Sequence, residues 1–129
     1  MKPRLRDNET VMLAIKRAYD PPSPKDGARF LVDGLWPRGV KKTDLQIETW
    51  LKDVAPSRAL RQSVAHDPKK WPEFKRRYFK ELDARPESWE LLRKAAHRGR
   101  VTLVYAAHDA EHNNAVALKE YLETHPTSA

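Results

Sequence analysis

Residues 29–39, Arg-Phe-Leu-Val-Asp-Gly-Leu-Trp-Pro-Arg-Gly, constrain the fold of this chain more than any other run. The first seven have the aromatic and β-branched content of a strand and follow the turn residues Asp26 and Gly27. Polar residues barely alternate with apolar ones, so both faces of such a strand need cover, as in a parallel or mixed sheet that carries helices. The strand then breaks into Trp36-Pro37-Arg38-Gly39, with Lys41 and Lys42 close behind. An indole and three cations at the end of a buried strand have the makings of a ligand site. Read structurally, Trp36 is a core anchor and Pro37-Arg38-Gly39 a turn.

Two other runs read as strands, residues 11–17 and residues 100–107. Between the first and second strands, Pro21, Pro22 and Pro24 fix φ and remove donors, so residues 19–27 form a loop. Five helices follow from periodicity and caps. The first is expected over 43–54, where Thr43 and Gln46 have capping-box spacing and Leu45, Trp50 and Val54 supply a stripe. The second spans 57–65. The third runs over 68–84, with Asp67 as cap and Trp71, Phe74, Tyr78 and Leu82 facing inward. The fourth starts at Pro86 and stops at Gly99, with Trp89, Leu92 and Ala96 inward. The last covers 110–124, capped by Asp109, with Ala115, Leu118 and Leu122 inward.

The expected fold is therefore α/β. A small, mostly parallel sheet of about three strands (11–17, 29–35, 100–107) is covered by about five helices in a Rossmann-like layered architecture. The ten-residue link between the first two strands is short for a crossover and leaves an antiparallel start open. Residues 11–124 read as one domain, after a flexible leader at 1–10 and before a loose tail at 125–129. The length of 129 residues suffices for one core without staples.

Composition narrows the function classes. There is no cysteine, so disulfides and thiolate chemistry are excluded. No apolar run approaches the ~20 residues of a membrane helix, and the charged start has no signal-peptide core. A cytoplasmic protein with no membrane partner is expected. The net charge of +7 is uneven: residues 58–80 hold eight basic side chains against two acidic ones. Lys69, Lys70, Arg76, Arg77 and Lys80 are thus candidates for nucleic-acid binding, against the plainer reading of a solvated helix face.

In an open α/β sheet ligands sit beyond the carboxyl ends of the strands. With all strands parallel, Arg17, Tyr19, Trp36, Arg38, His108 and Asn113 converge there. Arginine grips phosphate or carboxylate with two hydrogen bonds and aromatic rings stack on planar groups, so the site suits a small anionic ligand. An alternative is a small hydrolase or transferase in which Asp33 or Asp109 is the base and Arg38 an electrostatic clamp. No metal or cofactor is expected. His108, Glu111 and His112 do not make a sufficient metal motif, His66-Asp67 before Pro68 reads as a helix-entry turn, and no glycine-rich phosphate loop or nucleophile elbow occurs.

Four segments, 31–45, 50–61, 66–71 and 101–122, together resemble the YeaO-like branch of the domain-of-unknown-function 488 family. Leu35-Trp36-Pro37-Arg38-Gly39, Ala55-Pro56-Ser57 and His66-Asp67-Pro68 carry the resemblance. It covers about residues 14–122 and implies a small bacterial α/β protein with no established activity, substrate or cofactor. The family usually has arginine where this chain has Gly34. Longer relatives have a Cys-His-Arg-like run where this chain has Asn113-Asn114-Ala115, which implies that a nucleophile of the wider group is absent here.

Overall fold

Four short strands, all parallel, lie side by side in the order β1-β4-β2-β3. They are β1 (Leu13–Arg17), β2 (Ala28–Leu31), β3 (Thr49–Trp50) and β4 (Val101–Tyr105). The computed structural model describes residues 12–64 and 67–124. The expected leader and tail, Val11, Ala65 and His66 lie outside the described residues. The α/β class and the parallel sheet agree with expectation, and the sheet has four strands rather than three.

The link from β1 to β2 needs no helix, because β4 inserts between them. Ala14 pairs with Thr102, and Thr102 in turn with Arg29. Two strand spacings of about 4.8 Å and one strand length lie within reach of ten residues at about 3.3 Å each. The open question of an antiparallel start is thereby resolved: β1 is parallel to its neighbour.

Five helices follow the first two strands: α1 (Lys42–Leu45), α2 (Arg58–Val64), α3 (Trp71–Ala84), α4 (Pro86–Arg98) and α5 (Asn114–Thr124). The larger ones share one core with one face of the sheet. Phe74, Tyr78 and Leu82 of α3, Trp89, Leu92 and Ala96 of α4, and Ala115, Leu118 and Leu122 of α5 are buried there with Phe30, Val101 and Leu103. The other face, bearing Leu31 and Val104, is covered by the irregular segment after β2 through Trp36, Val40, Leu45, Ile47 and Trp50.

That second layer corrects the expected first helix. Residues 43–54 form one helical turn, the two-residue strand β3 and a 3-10 turn at Lys52–Val54. Gln46 takes a left-handed conformation (φ 52°), and Lys41 rather than Thr43 stands at the helix start without a side-chain cap. The cause is visible on β2. Arg29, only 4% exposed, donates from Nε to the Leu45 and Gln46 carbonyls (3.1 and 3.3 Å) and from Nη2 to Leu45 (2.7 Å). Its Nη1 meets the Asp26 carboxylate at 2.7 Å, and Lys16 reaches the same carboxylate at 3.1 Å. Carbonyls that would continue a helix instead bind a buried guanidinium.

Other expected boundaries also move: the strand expected over 100–107 spans Val101–Tyr105, and the first three residues of the helix expected over 68–84 form a 3-10 turn, Pro68–Lys70. The second strand ends at Leu31 rather than 35, although the Val32 amide still donates to Val104. The last helix begins at Asn114 rather than 110, because Asn113 caps it: its Oδ1 accepts from the Val116 amide at 2.9 Å.

Candidate functional site

The parallel sheet places the carboxyl ends of β1, β4 and β2 next to one another, and the chain leaves each through polar residues. Arg17 closes β1. Its Nε donates to the Ala107 carbonyl (2.9 Å), its Nη2 lies 3.4 Å from that of Ala106, and its guanidinium sits 5.0 Å from the centre of the Tyr19 ring. Tyr19, 46% exposed, donates its hydroxyl to the Arg38 carbonyl at 2.9 Å. The structure thus ties Arg17, Tyr19 and the Trp36–Gly39 turn together.

Within that turn the side chains divide. Trp36 donates from Nε1 to the Val40 carbonyl (2.7 Å) and meets Trp50 edge to face at 5.4 Å. Trp50 donates to the Asp33 carbonyl at 2.7 Å. Pro37 is buried, and Gly39 closes the turn at φ 78°, a conformation that disfavours a side chain. Trp36 therefore anchors the loop to the second layer. Arg38 does the opposite: it is exposed, and its guanidinium has no hydrogen-bond or ion-pair partner among the described residues.

Asp33 leaves β2 beside this turn. Its Oδ2 accepts from the Ala106 amide and its Oδ1 from Asn114 Nδ2, both at 2.9 Å. Asn114 also donates to the Val32 carbonyl at 3.1 Å. Burial pushes the Asp33 carboxyl above its ordinary range, against the two hydrogen bonds and the charge of Arg61, which pull it down. Asp109 is its opposite. Hydrogen bonds from the Glu111 amide, the His112 ring and the His112 amide hold its carboxyl below the usual range, so it stays ionised. Rather than capping the last helix, Asp109 caps the turn before it.

Asn113 is buried and uses both ends of its amide, donating to the Asp109 carbonyl at 2.8 Å as it caps α5. His108 is exposed where β4 ends. Among the described residues, no three His, Asp or Glu side chains come together as metal ligands would.

One cation at these strand ends was not singled out in the sequence. Arg61 reaches in from α2, and a Cβ at Gly34 would lie 3.4 Å from its Nη1. Its Nε is sealed from solvent and has no acceptor. A buried donor left unpaired costs about 1–3 kcal/mol. Arg61 acts on Asp33 through space without forming an ion pair among the described residues.

The basic segment spans α2, the 3-10 turn Pro68–Lys70 and α3. Lys69, Arg76 and Lys80 are exposed. Lys70 donates to the Ser63 carbonyl (3.2 Å), Arg77 to the Ser63 hydroxyl (2.9 Å), and Lys75 pairs with Glu120 at 3.0 Å. Glu73 lies 3.6 Å from Arg77, so the face is mixed in sign. A cavity of about 270 Å³ opens beside Val54, Ser57 and Glu81, but its polar groups are mutually paired. The Ser57 amide and hydroxyl donate to Glu81 (2.8 and 2.5 Å), and Tyr78 donates to the Val54 carbonyl at 2.5 Å. No helix among the described residues is long and apolar enough to cross a membrane.

Known proteins add a family and no activity. A family model described as the inactive DUF488-N3 subclade matches residues 12–128. Uncharacterized protein YeaO of Escherichia coli is 38% identical over 109 residues, which is 84% of this chain and 95% of that protein. Uncharacterized proteins Mb3100c of Mycobacterium bovis and Rv3073c of Mycobacterium tuberculosis are each 40% identical over 108 residues, 84% of this chain and 91% of theirs. No solved structure matches.

Proposed function

The chain belongs to the DUF488 family, in its YeaO-like branch, and from that membership we propose that it binds a small anionic ligand at the carboxyl ends of its sheet without turning it over. The observation that carries this reading is the division of labour in the Trp36–Gly39 turn. Trp36, Pro37 and Tyr19 hold the backbone still, and Arg38 is left in that turn with a guanidinium that has no partner among the described residues. A fixed loop presenting a planar fork of donors matches phosphate or carboxylate. Arg38 holds the anion, the half-exposed Tyr19 ring and His108 line the rim, and Arg17, Trp36 and Asn113 position these elements.

Two features favour binding over catalysis. The family description includes the word inactive. Asp109 is held ionised with a lowered proton affinity, the reverse of what a general base needs, and Asp33 is engaged by the Ala106 amide and Asn114.

Isothermal titration of the full chain with inorganic phosphate, pyrophosphate and oxalate tests this reading. At least one should bind, Arg38→Ala should weaken it by about tenfold or more, and Arg76→Ala should leave it unchanged. Absence of binding by all three, or equal binding by Arg38→Ala, overturns the reading.

A further inference from the structure

We propose that Arg61 is a second anion-gripping residue of the strand-end site. The inference rests on the reading above and adds a residue from a different element, α2, to a site otherwise built from strand exits.

The argument starts from the donors of Arg61. A guanidinium has five N–H groups in a fixed fork. Those of Arg29 bind the Asp26 carboxylate and the carbonyls of Leu45 and Gln46. Arg61 makes no hydrogen bond or ion pair among the described residues, and its Nε is shut away from water. An exposed cation without partners is ordinary, since water serves it. Arg61 is instead half-buried, and its terminal nitrogens, which are not sealed, carry N–H groups that no protein acceptor among the described residues takes.

The surroundings explain how the guanidinium is held without being used. Asp33 supplies attraction through space, but its oxygens are occupied by the Ala106 amide and Asn114. Those neutral donors hold the carboxylate in place, and Arg61 forms no ion pair with it among the described residues. Gly34 lies against the guanidinium: a Cβ there would sit in ordinary contact with Nη1 at 3.4 Å and with the Ala55 methyl group at 3.6 Å. The two terminal nitrogens of Arg61 together form the end-on edge of arginine, which takes two oxygens of one phosphate or carboxylate. Lysine, a point charge on a flexible stem, offers no such edge.

The test reads the guanidinium itself. The Nε–H resonances of the ¹⁵N-labelled full chain are followed by NMR during titration with inorganic phosphate, and assigned from the peaks lost in Arg61→Lys and Arg38→Lys. Saturable shifts at both residues support the proposal and the binding reading together. A shift at Arg61 alone overturns the reading built on Arg38 and supports anion binding by Arg61. A shift at Arg38 alone overturns the proposal and leaves the binding reading intact. No saturable shift at either overturns both. Where phosphate binds, Arg61→Lys should lower affinity by about tenfold, and unchanged affinity in that variant also counts against the proposal.

Discussion

Two arginines attend the strand β2, and they are used in opposite ways. Arg29, within the strand, is saturated: one carboxylate and two backbone carbonyls take its donors, and the covering segment 36–50 is shaped around it. Arg61, beside the strand's exit, touches no acceptor, and its nearby carboxylate is satisfied by neutral donors. The same side chain next to the same kind of partner is a staple in one place and an open fork in the other. The difference lies in whether carboxylate and guanidinium consume one another. Asp26 and Arg29 do, and Asp33 and Arg61 do not.

The largest effect expected from this contrast is on stability. Arg29→Met leaves Asp26 and the Leu45 and Gln46 carbonyls without their buried partner and should lower the unfolding free energy by about 3–5 kcal/mol. Urea denaturation measures it, and a loss under 1 kcal/mol would dissolve the contrast. Next is Asn114→Ala, which strips Asp33 Oδ1 of its donor. The cost should be about 1–3 kcal/mol by the same measurement.

Acid titration sharpens the comparison. Burial pushes the Asp26 carboxyl up, but the Ser23 amide, Lys16 and Arg29 outweigh it and hold the group below its ordinary value. The stability it contributes is complete above about pH 4 and is lost as pH falls through the folded-state value. Asp33 runs the other way. Its carboxyl is raised, so the folded state takes up the proton first, and stability rises as pH falls through the folded-state value. Unfolding followed over a pH series should show the acid-side loss flattened in Asp26→Asn and steepened in Asp33→Asn. Parallel profiles would remove the distinction between the two carboxylates.

Much of this molecule was legible in its sequence because one core serves most of it. The stripes of α3, α4 and α5 point into a single helix–sheet cluster, so periodicity placed them correctly. The failure at 43–54 has a physical cause. Leu45, Trp50 and Val54 looked like one stripe, but Leu45 and Trp50 bury on one face of the sheet and Val54 on the other. No single helix could serve both. The last helix slipped by four residues because Asp109 and Asn113 are both good caps, and the outcome was decided by Asn114, which must reach Asp33. At the strand ends, Arg17, Tyr19, Trp36, Arg38 and Asp33 were readable as neighbours once the strands were taken as parallel. Arg61 was not, because its position follows from packing of α2 against a glycine, and in the sequence it was one of eight cations in a basic segment.

The smallest expected effect is also the most telling. Arg61→Met removes a buried donor that has no partner and with it a charge that favours ionised Asp33. These effects oppose one another, so in buffer alone the unfolding free energy should stay within about 0.5 kcal/mol of the parent. Saturating inorganic phosphate should stabilise the parent in proportion to RT ln(1 + [L]/Kd) and leave the variant nearly unmoved. Urea unfolding of Arg61→Met with and without phosphate reads both at once. Unchanged stability together with a lost phosphate response is the expected result. A destabilisation in buffer like that of Arg29→Met would make Arg61 a second staple and contradict the account.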